Sequence, residues 1–262
     1  MKDASYKVEI LLNKNCNYSC NYCYIKDNSN QKIIDYNFLK KQLLQIEEKY
    51  HITEIYVLGG EPTIYPEFQK FIEIINNTLG KVDIYIQTNL SFSIKFAKSL
   101  PSNVYFRGSL HFTENSNYLD IIKKLLKINK LKHLTIMYSY EAYKSYKHLY
   151  KQYMILFKIL NISYNIEPIY LNNEDLNEFD NVIGKEYSEI FKWYPKLINY
   201  NFYKKTCNIS KYEIVINLLT NKLHKCSTCC YKDIDMNLTD ISDVCPINEY
   251  IRCPDYFSKE NI

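Results

Sequence analysis

A chain of 262 residues, 47% of them hydrophobic, has the length for one α/β barrel-like domain with a small appendage. Its net charge of +4 is mild, with Lys and Glu interleaved rather than blocked, so no nucleic-acid partner is expected. No run approaches the ~20 apolar residues of a membrane span, and Met1-Lys2-Asp3-Ala4-Ser5-Tyr6 lacks the apolar core of a secretory signal. No membrane partner is therefore expected, and the expected compartment is the cytoplasm, where nine cysteines read as metal ligands rather than disulfides.

In chain order, Val8, Ile10 and Leu12 alternate with Lys7 and Glu9 and predict a strand. It delivers Cys16-Asn17-Tyr18-Ser19-Cys20-Asn21-Tyr22-Cys23 at its C-terminal end. A CxxxCxxC triplet supplies one thiolate too few for a four-iron cube and too few for a closed zinc site, so an iron–sulfur cluster with an open iron and a zinc site completed from afar both fit it. A helix is expected from Tyr36 to Tyr50, capped by Asp35. A second strand, Glu54 to Leu58, runs into Gly59-Gly60-Glu61-Pro62. Pro66, the stripe Phe68, Phe71, Ile72, Ile75 and Leu79, and a closing Gly80 mark the next helix. Strand three, Val82 to Thr88, ends in Gln87-Thr88-Asn89; a short helical piece closes at Pro101, and strand four covers Val104 to Leu110. Leu119, Ile122 and Leu126 predict another helix, and Leu131 to Tyr138 a fifth strand. Tyr143, Tyr146, Tyr150, Tyr153 and Phe157 recur at steps of three and four, an aromatic stripe that reads as core packing on one helix. Strand six, Ile162 to Tyr170, carries Glu167-Pro168 near its end. Six strand–helix units by about residue 195 predict a parallel sheet.

The Cys16, Cys20, Cys23 triplet followed by the Gly59-Gly60-Glu61-Pro62 turn after the second strand resembles the radical S-adenosylmethionine (SAM) superfamily, and Tyr22 before the third cysteine fits the same pattern. The resemblance implies an α/β fold, an open (β/α)6 partial TIM barrel. It implies that Cys16, Cys20 and Cys23 hold a [4Fe–4S] cluster whose open iron chelates SAM, and that an electron from the cluster cleaves SAM to methionine and a 5′-deoxyadenosyl radical. By the same resemblance Gly59 and Gly60 let the backbone approach the methionine moiety, and the carbonyl region of Glu61 and Pro62 receives its ammonium. The Glu61 carboxylate has the alternative of fixing the turn itself. Tyr22 packs on adenine, with Tyr24 as a second candidate, and Asn89 and Ser109 contact ribose and carboxylate. An external electron donor such as flavodoxin or ferredoxin is implied. No catalytic residue is assigned; Arg107, His111, Glu141 and Glu167 are polar groups at or near the expected mouth.

After Pro195 the rhythm changes, and six cysteines from Cys207 onward fall within 47 residues. Tyr212 to Leu219 and Leu223 to Cys226 read as a hairpin about Thr220-Asn221-Lys222. Cys207, this hairpin and Asn221 to Cys226 resemble the opening of a twitch/SPASM-type auxiliary-cluster extension, with Asn221 where that family has Gly. The division expected is a core over 1–200 and a cysteine-rich β-hairpin extension over 201–262. The resemblance implies a second [4Fe–4S] cluster on Cys207, Cys226, Cys245 and Cys253, with Cys229 as substitute, while a structural zinc site on the same thiols stays open. A tail following strand six is expected to form one wall of the substrate cavity. Two substrate classes remain: a small aminocyclitol- or sugar-like molecule, favoured by the short chain without a fused leader-peptide domain, or a peptide or protein side chain modified with a separate leader-binding partner. A non-catalytic iron–sulfur or zinc module is the alternative outside the enzymes, and the Gly-Gly-Glu-Pro turn argues against it.

Overall fold

The computed structural model describes residues 5–23, 33–138, 140–168, 200–201, 213–226 and 250–251. Six strands run in parallel: β1 (Ser5–Asn13), β2 (His51–Gly59), β3 (Asp83–Thr88), β4 (Val104–Leu110), β5 (Leu131–Tyr138) and β6 (Tyr164–Pro168). Between them lie α1 (Tyr36–Lys49), α2 (Phe68–Leu79), α3 (Ile94–Ser99), α4 (Leu119–Lys127) and α5 (Tyr140–Ile159). The chain after β6 and before the two-residue β7 (Tyr200–Asn201) lies outside the described residues, so a sixth helix does too. Beyond it come β8 (Glu213–Asn217), β9 (Lys222–His224) and β10 (Tyr250–Ile251), the last paired antiparallel with β7.

The main sheet has the order β6-β5-β4-β3-β2-β1-β8-β9, so it is open, with β1 in its interior. β8 lies parallel to β1 and β9 turns back antiparallel, with Asn221 at φ 56°, the left-handed conformation that Asn tolerates. The hairpin thus continues the sheet of the core instead of standing apart from it.

Alternation along the strands separates two faces. Val8, Ile10, Ile55, Val57, Ile84, Ile86, Phe106 and Ile136 point one way into a single core with Leu39, Leu43, Phe71, Ile75, Ile122 and Leu125 of the helices. Burying each such side chain contributes about 1.5–3 kcal/mol. The helices are fastened at their starts: Asp35 accepts the Asn37 and Phe38 amides at 3.0 Å each, and Ser93 accepts that of Phe96 at 3.2 Å. Gly80 closes α2 at φ 76°. The aromatic stripe of α5 is core packing, with Tyr143, Tyr150, Tyr153 and Phe157 buried, but α5 is not one straight helix. Tyr146 has φ −123° and ψ 20°, and the stripe turns a corner there. Among the described residues no helix is long and apolar enough to cross a membrane.

Candidate active site: the cysteine loop and the Gly-Gly turn

Parallel pairing sets Asn13, the last residue of β1, beside Gly59, the last of β2, so both motifs leave neighbouring strands at one end of the sheet. Backbone bonds then lace the two loops together: Gly60 N–H donates to Asn13 O at 2.9 Å and Glu61 N–H to Asn15 O at 2.7 Å. This contact explains the glycines. Gly59 has φ 155°, and a Cβ there would lie 2.5 Å from Asn13 O; one on Gly60 would lie 2.2 Å from Asn15 O. With a Cβ at either position the cysteine loop could not approach the turn.

Glu61 is fully buried, and its carboxylate is used up inside the protein. Oε1 accepts from Thr63 N at 3.2 Å, Thr63 Oγ1 at 2.6 Å and Thr88 Oγ1 at 2.7 Å; Oε2 accepts from Asn89 N at 2.7 Å. Burial pushes its pKa up, and the four hydrogen bonds oppose that shift. The carboxylate therefore fixes the turn, the alternative left open by the sequence. The carbonyls expected to receive an ammonium already accept protein donors: Glu61 O takes Asn13 Nδ2 at 3.2 Å and Ile64 N at 3.3 Å, and Pro62 O takes Tyr65 N at 3.1 Å. Pro62 is buried and opens a 3₁₀ turn, Pro62–Ile64.

Asn89 is tied on three sides. Besides its amide bond to Glu61, its Nδ2 lies 2.9 Å from Asn17 Oδ1 and 3.8 Å from Cys16 Sγ, and its Oδ1 accepts Ser91 N at 3.0 Å. Tyr18 N–H also points at Cys16 Sγ, at 3.4 Å. Cys16, Cys20 and Cys23 are free thiols, and burial pushes the first two up, Cys20 to about 11. On the other side of the loop the Tyr22 ring stacks on His111 with planes 11° apart, and its hydroxyl lies 2.7 Å from His111 Nδ1. Cys20 Sγ is 3.6 Å from the same nitrogen. Burial lowers the His111 pKa to about 4, which makes the ring neutral at pH 7.

These groups enclose a cavity of about 420 Å³ at the C-terminal ends of the strands. Of the residues expected from sequence, Cys16, Cys20, Cys23, Tyr22, Gly59, Gly60, Asn89 and Ser109 line it, as do His111 and Glu167. Glu61, Pro62 and Arg107 are not part of the lining. Tyr24, Cys207, Cys229, Cys245 and Cys253 lie outside the described residues, and so does the side chain of Glu141. Tyr18, Gln87, Thr88 and Met137 complete the wall and went unnoticed as site residues; for Gln87 and Thr88 the signal was their place at a parallel strand's end. Cys226 is buried and does not line the cavity. The pairing of His224 with Val215, and of Val215 with Glu9, puts Cys226 past β9 toward the end where β1 begins, opposite the cysteine loop. Among the described residues no three His, Cys, Asp or Glu groups close on a single metal ion. The donor set suits a cluster held by three separate thiolates: all three line one cavity, and backbone and amide N–H groups point at Cys16 sulfur.

An open, largely parallel sheet thus carries three free thiols and a glycine turn at one end of its strands. Residues 10–132 match the Radical SAM superfamily, and this span holds both motifs and nearly the whole cavity wall. The GTP 3′,8-cyclase of Staphylococcus epidermidis is 33% identical over 103 residues, 36% of this chain and 29% of the cyclase, so the match spans under a third of that protein. Among solved structures, SuiB of Streptococcus suis bound to S-adenosylmethionine superposes with a TM-score of 0.59 at 13% identity, covering 86% of this chain and 61% of SuiB. The anSMEcpe protein with bound AdoMet gives 0.59 at 14% identity over 92% of this chain and 80% of that one. At such identities the structures speak for the fold, which is an α/β fold with an open parallel sheet. The family match, over just under half of the chain, supports the radical SAM superfamily, and a [4Fe–4S] cluster and SAM are the cofactors that it implies.

Proposed function

We propose that this chain reductively cleaves SAM and uses the product to take a hydrogen atom from a substrate in the same cavity. The observation that carries this reading is the convergence of three free thiols, the Gly59-Gly60 turn and Asn89 on one cavity at the C-terminal end of a parallel sheet. Cys16, Cys20 and Cys23 hold the [4Fe–4S] cluster and leave one iron for SAM. When bound, cluster and SAM together supply a 5′-deoxyadenosyl radical as the hydrogen-abstracting agent.

The protein's own groups position these partners. The N–H donors on Cys16 favour a thiolate, and the buried Glu61 carboxylate keeps the Gly-Gly turn and the end of β3 in register with the cysteine loop. Tyr22, clamped by His111, offers a ring face to adenine; Asn89 and Ser109 offer polar groups to ribose and carboxylate. Met137 and Glu167, on β5 and β6, line the part of the wall left for substrate.

Substrate is a small polar molecule or a peptide side chain; SuiB, of similar fold, has been seen bound to a precursor peptide. Electrons come from an external donor such as flavodoxin or ferredoxin. A second cluster on Cys226 with Cys207, Cys245 and Cys253 completes the proposal. The test is anaerobic reconstitution followed by SAM and dithionite. Wild type is expected to yield 5′-deoxyadenosine, and the Cys16→Ala, Cys20→Ala, Cys23→Ala triple variant none. Equal yield from the variant would overturn the assignment, and no product from wild type would favour a non-catalytic metal module.

A further inference from the structure

The sheet face turned away from the helices is polar where a closed barrel would be packed with branched aliphatics. Tyr56, Tyr85 and Tyr105 sit side by side in register on β2, β3 and β4, with ring centroids 5.0 and 5.7 Å apart. One layer nearer the cavity, Arg107 of β4 pairs with Gln87 of β3, and Gln87 lines the cavity. The Arg107 guanidinium reaches back across β3 and lies 5.3 Å from the centre of the Tyr56 ring.

This cation has no counter-ion among the described residues. Its Nε is buried without a hydrogen-bond partner. The Glu54 carboxylate is engaged elsewhere, its Oε2 meeting Lys7 Nζ at 3.1 Å and accepting the Tyr56 hydroxyl at 2.9 Å. On the other flank His133 has one ring nitrogen 2.9 Å from Ser163 Oγ and the other 2.9 Å from Asn165 Oδ1. Burial first, and the charge of Arg107 in addition, lower its pKa; neutral or protonated, an imidazole supplies no negative charge. Stacking on a tyrosine fixes a guanidinium's plane and leaves its edge donors free, a geometry suited to two-pronged capture of a carboxylate or phosphate. The buried Nε–H lacks an acceptor, and an anionic ligand would supply one.

We propose that Arg107 anchors an anionic group, carboxylate or phosphate, of a small-molecule substrate bound beneath the SAM site. The inference rests on the radical SAM reading, which puts SAM at the strand ends. Arg107 is level with Gln87, two residues below Asn89 along β3, or about 7 Å deeper at strand rise. The anion is assigned to the substrate because Asn89 and Ser109, nearer the strand ends, are the groups given to SAM.

The test is calorimetric titration, at constant ionic strength, of full-length reconstituted wild type, Arg107→Met and Arg107→Lys. The probes are SAM, then inorganic phosphate and acetate, each with and without SAM. Wild type is expected to bind at least one anion, and the stronger of the two identifies the substrate's anionic group. Arg107→Met is expected to weaken that anion tenfold or more and SAM less than threefold. Arg107→Lys keeps the charge but loses the fork, and is expected to weaken the anion at least threefold; this variant decides the matter if unfolding temperatures show that the Met variant does not fold. Anion affinity that is absent in wild type, or equal in the variants, overturns the proposal. A tenfold loss of SAM with the anions unaffected overturns it too, by giving Arg107 to the SAM carboxylate. Failure of the radical SAM reading itself shows separately, as absence of 5′-deoxyadenosine from wild type, and leaves the SAM-free anion titrations readable.

Discussion

Each oxygen of the Glu61 carboxylate accepts a backbone amide, Thr63 N on Oε1 and Asn89 N on Oε2, and this decides what a near-isosteric change does. A glutamine has one acceptor oxygen, so whichever way its amide is turned, its NH₂ faces one of these two N–H groups. Thr63 and Thr88 hydroxyls can rotate to accept from the new donor; a backbone amide cannot. Glu61→Gln is therefore expected to lower stability by about 1–3 kcal/mol, the cost of one buried donor left unsatisfied. Chemical denaturation of the two proteins checks it, and equal midpoints and slopes would show that the knot is not needed. The residue's importance was visible in the motif, but its job was not. A carboxylate beside Gly-Gly reads equally as ligand or strut until the positions of Thr88 and Asn89, 27 and 28 residues away, are known.

Elements with one buried face were legible because burial leaves a period in the sequence. β1 to β5 and α1, α2 and α4 fall within a few residues of where apolar spacing put them; β1 and β2 are longer than their apolar runs, since ladder pairing continues through Ser5 and His51. The break at Tyr146 was not legible, because a stripe at steps of three and four records which side is buried and not whether the axis bends. Nor was the seat of the hairpin beside β1: strand partners distant in sequence leave no local mark. The lacing of the β1 and β2 exits was hidden for the same reason, yet it is testable through Gly60. Its missing Cβ is what lets the Asn15 carbonyl approach, and the obstructing atom is backbone, with no side chain that could swing aside. Gly60→Ala is expected to push the cysteine loop off the turn, so the reconstituted variant should hold less than half the wild-type iron at the Cys16 site. Iron analysis together with the cluster's visible absorbance checks this. Undiminished iron would mean that the loop seats itself independently of the turn.

At the scale of the whole molecule, the sheet sets how far apart two metal centres would stand. Cys16 follows the end of β1, whereas β9 ends at His224, level with Val215 and so with Glu9, and Cys226 lies two residues further on, in a bend past the ladder. Four residues of strand from Glu9 to Asn13 already span about 13 Å. Thiolates so far apart cannot share a cluster, and Cys226 does not stand in the wall of the mouth where the tail was expected. The two sites should therefore load independently. If the tail holds a [4Fe–4S] cluster, wild type is expected to carry about eight irons per chain, because each cubane holds four. Cys226→Ala and the triple variant at Cys16, Cys20 and Cys23 should each fall to about four, but not the same four. In the Cys226 variant the remaining cluster should still change its electron paramagnetic resonance spectrum when SAM is added, and in the triple variant it should not. Eight irons in Cys226→Ala would remove Cys226 from the ligand set. Four irons and one zinc in wild type would make the tail's site structural, and any electron leaving the substrate would then need a different acceptor.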